Sequence, residues 1–266
     1  MTDQLDVVAI QSCSGFSIEH NLAWYESQFE QLPRIRPLVV VMPECFAVFG
    51  APTGQPYREQ SGKGHVQDWL AKMAKLHELW LIGGSLPIAE DDKKHYQACL
   101  VYGPSGMQAA RYDKRHLFDV NISDSTGSYR ESDTTYPGQS SVTVTIEGFK
   151  VGLSICYDLR FPEHFRGLNA DVLVVPAAFT AITGEAHWQP LLQARAIENQ
   201  CYVVAANQSG THENGRETWG HSMILDPWGQ VSGQLDTQLG MIHQTLSKAR
   251  LAQVRASIPA LSHKRS

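Results

Sequence analysis

Two stretches of the 266-residue chain share one shape. Leu38 to Phe46 and Val172 to Phe179 each run as a β-branched segment, a proline, two residues and a phenylalanine. Each then leads through a loop into an amphipathic helix and a further strand that ends in a small polar turn. Apolar residues at successive positions mark strands buried on both faces, as in sheets that helices cover. The repetition predicts two related α/β halves whose strand ends point at a shared crevice. Two sheets packed on each other, each with helices on its outer face, give a four-layer α-β-β-α sandwich. Residues 1–266 read as a single domain, because one α/β core of this size is routine.

The remaining segments fit that scheme. Leu5 to Ile10 reads as a first strand, and Ile18 to Gln31 carries Leu22, Tyr25 and Phe29 at helical spacing. A glycine- and proline-rich loop, Gly50 to Gly64, precedes a helix over Val66 to His77 and a strand over Leu79 to Leu86 that runs into Gly83-Gly84-Ser85. Tyr96 to Tyr102 and Gln108 to Tyr112 form a hairpin about Gly103-Pro104-Ser105-Gly106. Asn121 to Pro137 is polar and aperiodic, a loop long enough to suggest an active-site lid. Ser141 to Ile146 pairs with Lys150 to Ile155. A helix over His187 to Asn199, a strand over Cys201 to Ala206, short strands at Met223 to Leu225 and Gln230 to Ser232, and a helix over Lys248 to Ala256 complete the chain.

The chemistry-bearing residues sit at strand ends. Cys156 lies where the apolar run Val151 to Ile155 hands over to a turn before Pro162, a helix-starting proline, and ligands bind at the carboxyl ends of strands in open α/β sheets. A lone cysteine on a buried strand is ordinarily an inert small hydrophobe. Glu44, beside Pro43 at the end of a buried strand, is either a structural acid accepting backbone hydrogen bonds or a working one. Lys114 after the hairpin reads by itself as a surface residue, and Glu131 in the long loop as an exposed acid. Together, a carboxylate, an ammonium and a thiol supply the parts of acyl transfer: a base for the thiol proton, a cation for the oxyanion, and a nucleophile. A Cys–His pair using His187 or His221 is the rival enzyme reading, and a binding or scaffold protein on the same fold the rival of another class.

Charge and cysteine usage narrow the classes. With 22 Lys and Arg against 27 Asp and Glu, a net charge of -5 provides no basic field for nucleic acid or anionic membrane, which leaves small soluble substrates. Five cysteines, widely spaced and without a CxxC pair, argue against a disulfide framework and a thiolate metal site and for a reducing, cytoplasmic setting. The start of the chain lacks the basic flank of a signal peptide, and no apolar run reaches membrane-spanning length. Neither His77-Glu78 nor His212-Glu213 continues as HExxH and no glycine fingerprint for a nucleotide occurs, so neither metal nor cofactor is expected.

Three motifs carry a resemblance: Pro43-Glu44; Tyr112-Asp113-Lys114-Arg115-His116-Leu117; and Ile155-Cys156-Tyr157-Asp158-Leu159-Arg160-Phe161-Pro162-Glu163. In this order the chain resembles the nitrilase superfamily of carbon-nitrogen hydrolases over essentially its whole length. The resemblance implies a Glu-Lys-Cys triad, with Glu44 as general base and acid, Lys114 as oxyanion stabiliser and Cys156 as nucleophile. It adds Glu131, before Pro137-Gly138, as a further glutamate that positions the site. Among amidases acting on small omega-amides of keto acids, Thr183-Gly184-Glu185-Ala186-His187-Trp188 and Arg195-Ala196-Ile197-Glu198-Asn199-Gln200 are similar to omega-amidases, and Cys201-Tyr202-Val203, Gly220-His221-Ser222-Met223 and Asp226-Pro227-Trp228-Gly229 more to those acting on deaminated glutathione. The implied substrate is deaminated glutathione, hydrolysed to 2-oxoglutarate and cysteinylglycine as metabolite repair, with 2-oxoglutaramate and ammonia release as the alternative. The family places a carboxylate-binding arginine at Arg160, whose other reading is a support for Asp158 in the turn. Tyr157, Phe179 and Thr183 are expected at the pocket, although a core aromatic and a turn threonine fit the last two as well. Family members pair, which implies a homodimer or larger homo-oligomer.

Overall fold

The computed structural model describes residues 3–50, 57–122, 124, 127–263 and 265, so parts of the glycine- and proline-rich loop, of the long polar loop and of the C-terminal tail lie outside the described residues. Two mixed sheets carry the fold. In the first, an eight-stranded sheet, three parallel strands (Gln4–Gln11, Leu38–Val41 and Trp80–Ile82) are flanked by antiparallel Gly240–Ser247 on one side and His95–Tyr102 on the other. In the six-stranded second sheet, parallel Phe149–Leu153, Val172–Ala177 and Tyr202–Asn207 are flanked by antiparallel Thr143–Ile146 and Met223–Leu225. The two segments of like sequence, Leu38–Val41 and Val172–Ala177, are therefore the middle strands of matching parallel triplets.

Residue alternation explains the layers. Val39 and Val41 join the core shared with the second sheet, whereas Val40 and Met42, one step along, pack with Leu22 and Tyr25 of helix Ile18–Phe29 and with Trp69, Leu70 and Met73 of helix His65–Leu76. Side chains at successive strand positions point to opposite faces, so a run apolar throughout feeds both layers. Trp188 and Leu192 of helix Ala181–Asn199 and Phe165 of helix Pro162–Leu168 cover the second sheet. The result is the four-layer α-β-β-α sandwich. Where strands Gln4–Gln11 and Tyr202–Asn207 end, a parallel bridge between Ser12 and Gln208 ties the sheets together. The Gln208 amide donates to the Glu44 carbonyl at 3.0 Å, which anchors the first sheet's middle strand at the same place.

Several elements differ from the sequence expectation for physical reasons. The stretch Leu79 to Leu86 is two strands, Trp80–Ile82 and Leu86–Ala89, separated at Gly84, whose φ of +51° lets the backbone turn hard against the Pro43 carbonyl. Helix Ala181–Asn199 begins before His187, because Gly184 is not a turn residue there: a Cβ would lie 2.3 Å from the Trp219 side chain, so glycine permits close packing inside the helix. The polar segment after Asn121 includes half of a short pair, Asp119–Asn121 with Ser128–Arg130, followed by the 3-10 turn Glu131–Asp133. Gly240–Ser247 was not legible as a strand. It is a half-exposed edge whose hydrogen bonds come from all of Gln4–Gln11, far away in sequence. No helix among the described residues is long and apolar enough to cross a membrane.

Gly84→Ala places a Cβ 1.9 Å from the Pro43 oxygen in a left-handed conformation. Urea unfolding is expected to show a loss of ~2 kcal/mol or more; an unchanged midpoint would contradict this packing.

Candidate active site

The cavity of about 340 Å³ opens at the ends of the strands where the two sheets meet. Glu44 arrives from Leu38–Val41, Cys156 from Phe149–Leu153, Ala178 and Phe179 from Val172–Ala177, and Lys114 directly after Gln108–Asp113. Glu44 and Lys114 come from the first sheet and Cys156 and Ala178 from the second, so strand pairing within each sheet and packing of the two sheets together assemble the group.

Lys114 is its hub. The ammonium donates to Glu44 Oε1 at 2.8 Å and to Glu131 at 2.9 Å and 3.1 Å, with its side chain 2% exposed. Burial on its own lowers the pKa of this amine, and the Glu131 and Glu44 carboxylates more than reverse that, raising it well above the ordinary lysine value. Glu131 is raised by burial and by Glu44, although Lys114 pulls the other way. Each acid is also fixed by backbone: Glu44 Oε2 accepts from the Ala178 N–H at 2.9 Å, and Glu131 Oε2 from the Phe118 N–H at 2.7 Å.

Cys156 is buried in the same cavity and starts the 3-10 turn Cys156–Arg160 with φ +46°, a left-handed conformation unusual for a residue with a Cβ. Such strain persists where the surroundings impose it. Here Asp158 does so: its carboxylate accepts from the Ile155 N–H at 2.8 Å, the Tyr112 hydroxyl at 2.7 Å and the His116 N–H at 3.1 Å, and lies 2.7 Å from His116 Nδ1. Arg195 holds the next carbonyl, Leu159 O, at 2.8 Å and 3.1 Å. The Cys156 thiol interacts with the Glu44 carboxylate and the Ala178 N–H; burial first and Glu44 second push its pKa well up, while Lys114 and Ala178 draw it down. A thiol whose pKa is pushed up needs a base before it attacks a carbonyl. Passing the proton to the neighbouring carboxylate leaves the net charge of the buried cluster unchanged, so the low-dielectric site does not resist it as it would the creation of a new charge.

Tyr157, Phe179 and Thr183 line the cavity, the last bonded to Thr180 Oγ1 at 2.8 Å. Arg160 does not line it. Its guanidinium lies over the Phe179 ring at 5.3 Å and the Tyr157 ring at 5.8 Å, with contacts of 3.4 Å to His187 Nδ1. Neither histidine of the Cys–His alternative lines the cavity: His187 is on Arg160, and His221 Nδ1 is 2.7 Å from Trp219 O with its ring stacked on Trp219. The sequence reading missed His95 and Gln97, alternate residues on one face of strand His95–Tyr102 that reach the cavity. His95 Nδ1 and Gln97 Oε1 are buried without a partner among the described residues. Two polar residues at alternate positions of an otherwise apolar strand were the available signal. Hairpin Ser209–Thr211 and Glu217–Trp219 was missed as well, and with it Arg216 on the cavity wall. Among the described residues no group of three His, Cys, Asp or Glu side chains is placed to ligate a metal.

Burial raises the Asp158 pKa, and its hydrogen bonds from His116 and Tyr112 and the nearby His164 outweigh that, leaving the folded value below the ordinary one. A depressed folded pKa contributes stability that is present above the unfolded value of about 3.9 and lost as pH falls through the folded one. Wild type is therefore expected to exceed Asp158→Asn in denaturation stability at neutral pH, with the gap closing below about pH 4; a gap that widens in acid would refute the assignment.

The carbon-nitrogen hydrolase family model matches residues 7–256. The chain is 38% identical over 265 residues to a deaminated glutathione amidase of Yersinia enterocolitica, covering 98% of this chain and 93% of that one. It is also 38% identical over 232 residues to human omega-amidase NIT2, covering 86% and 83%. Among solved structures, a CN-hydrolase superfamily protein of Xanthomonas campestris with an arsenic adduct in its active site superposes with a TM-score of 0.88 at 27% identity, covering 100% of this chain and 98% of that one. With the family model matching nearly end to end on a fold of four layers, the chain belongs to the carbon-nitrogen hydrolase family.

Proposed function

We propose that this protein is an amidase that cleaves a small omega-amide of a keto acid through a thioester on Cys156, with deaminated glutathione as substrate and 2-oxoglutarate and cysteinylglycine as products. The observation that carries the reading is the Lys114 ammonium shared between Glu44 and Glu131 over the cavity that holds Cys156. The names of the relatives supply the substrate class.

Glu44 takes the thiol proton as sulfur attacks the amide carbonyl, and Lys114 with a backbone N–H stabilises the oxyanion. Collapse breaks the C–N bond, and Glu44 hands its proton to the leaving nitrogen. Water then attacks the thioester with Glu44 again accepting a proton, the C–S bond breaks, the keto acid leaves and the thiol is restored. Glu131 positions Lys114 and does not touch the reacting atoms. Arg160 binds the keto-acid carboxylate over Phe179 and Tyr157; its contacts to His187 Nδ1, at 3.4 Å, are too long to hold it back. Thr183 completes the acyl pocket. We read residues 1–266 as one catalytic domain that acts as a homo-oligomer in the cytoplasm, in keeping with five free cysteines.

The alternative, omega-amidase action on 2-oxoglutaramate with ammonia release, uses the same machinery, and a release assay with both compounds separates the two. Higher kcat/KM on 2-oxoglutaramate would overturn the preference. Glu44→Gln and Lys114→Ala are each expected to lower kcat by ~10²-fold or more, and Cys156→Ala to abolish turnover. His187→Ala and His221→Ala should retain turnover. Mass spectrometry after brief exposure to substrate should find an acyl adduct on Cys156; its absence with turnover intact would sink the thioester mechanism, and absence of both adduct and turnover would return the binding-protein reading.

A further inference from the structure

The charges lining the cavity are not equally committed. Lys114 is held between two carboxylates. The Arg130 guanidinium donates to Val120 O, Tyr129 O and Asn121 Oδ1. Arg216 also lines the cavity, yet its guanidinium has no hydrogen bond or ion pair with any described residue and lies over the Tyr129 ring, 4.9 Å from the centroid. Of the nearest acids in sequence, Glu213 accepts from the Phe16 N–H at 2.9 Å, and Glu217, which also lines the cavity, makes a long 3.5 Å contact with the Thr211 hydroxyl and no ion pair with Arg216.

The backbone beneath Arg216 is well anchored. Its carbonyl accepts from the His212 N–H at 2.8 Å, and its N–H donates to Asn214 Oδ1 at 3.1 Å. Strand Glu217–Trp219 is stitched to the site, because Thr218 bridges Thr180 and the Trp219 N–H donates to Phe179 O at 2.9 Å. A cation whose donors meet no described residue thus stands on a fixed support at the wall of the cavity.

A chain of ring contacts joins it to the other side of the site. Tyr129 packs on Phe118 at 5.0 Å, Phe118 on Tyr157 at 5.1 Å, and the Tyr157 ring carries Arg160. The three rings and Arg216 line the cavity, while Arg160 lies behind the Tyr157 ring at the other end of the chain without lining the cavity itself. That arrangement matches a ligand with an apolar middle and a carboxylate at both ends. Of the two substrates considered above, the ammonia-releasing amide carries one carboxylate, on the acyl side, whereas a peptide-like leaving group adds a second.

We propose that Arg216 is a specificity residue that binds the carboxylate at the far end of the leaving group, so that the site selects amides whose amine portion is a small peptide acid. The guanidinium fork suits a bidentate carboxylate pair. The inference rests on the amidase reading and adds which end of the substrate is read by which arginine.

The test compares kcat/KM for deaminated glutathione, for the same compound with its terminal carboxylate amidated, and for 2-oxoglutaramate, in wild type, Arg216→Ala and Arg216→Lys. In wild type, amidation should cost at least about tenfold, the scale of a charge-assisted pair. In Arg216→Ala the preference for deaminated glutathione over 2-oxoglutaramate should fall by a similar factor, and amidation should cost little further. Arg216→Lys should lie between, which separates loss of charge from loss of the contact with Tyr129. An unchanged preference in Arg216→Ala, equal losses on both amides, or an equal amidation penalty in wild type and variant each overturns the inference alone. Wild type that cleaves neither compound fails the amidase reading and this inference together.

Discussion

A buried ammonium between two carboxylates is the interaction on which the site depends. Removing one partner from such a group leaves an uncompensated charge in a medium that solvates it poorly, a cost that runs to several kcal/mol, about 3–5, where it has been measured. Lys114 is therefore held where it is by Glu44 and Glu131, and they by it. Because Glu44 ends a strand of the first sheet and accepts from the backbone after a strand of the second, the charge cluster is also a seam between the sheets. Electrostatics and architecture are here one constraint.

Around that seam the backbone is bent where chemistry needs it. The left-handed conformation of Cys156 brings the thiol into the cavity instead of leaving it in the strand's core face, and the Asp158 carboxylate supplies the hydrogen bonds that make the turn sustainable. Gly84 allows the first sheet to close against the Pro43 carbonyl, immediately before the acid. Neither Asp158 nor Gly84 lines the cavity, yet each fixes the position of a residue that does.

The cavity separates two tasks. Glu44, Lys114 and Cys156 are gathered at its base by hydrogen bonds and desolvation, while its walls are rings and threonines with few charges to spare. An arginine stacked on a ring keeps its donors available, because the ring face satisfies charge without occupying N–H groups. Arg160 and Arg216 are both placed in this way.

Some of this was legible in the chain as written. Doubly apolar strands such as Leu38–Val41 and Val172–Ala177 can exist only inside covered sheets, and their shared pattern predicted matching halves. Motif residues at strand ends, Glu44 and Cys156 among them, pointed to the crevice because strand ends are where sheets present side chains to ligands. Edge strand Gly240–Ser247 could not be read, since its identity comes from hydrogen bonds to Gln4–Gln11 and not from its own pattern. Helix Ala181–Asn199 begins six residues before the His187 start read from sequence, because Gly184 inside it is favoured by its close packing on Trp219, which is distant in the chain. Arg216 gave no local signal and His95 and Gln97 only their alternation on an otherwise apolar strand, because a polar residue becomes a cavity residue only when other segments enclose it. The sequence by itself determined the kind of layers and the strands whose ends bring Glu44 and Cys156 to the cavity. Tertiary structure decided which charges meet, which arginine is left free and which way Cys156 faces, because Coulomb energy, desolvation and backbone strain all depend on neighbours that the order of residues does not name.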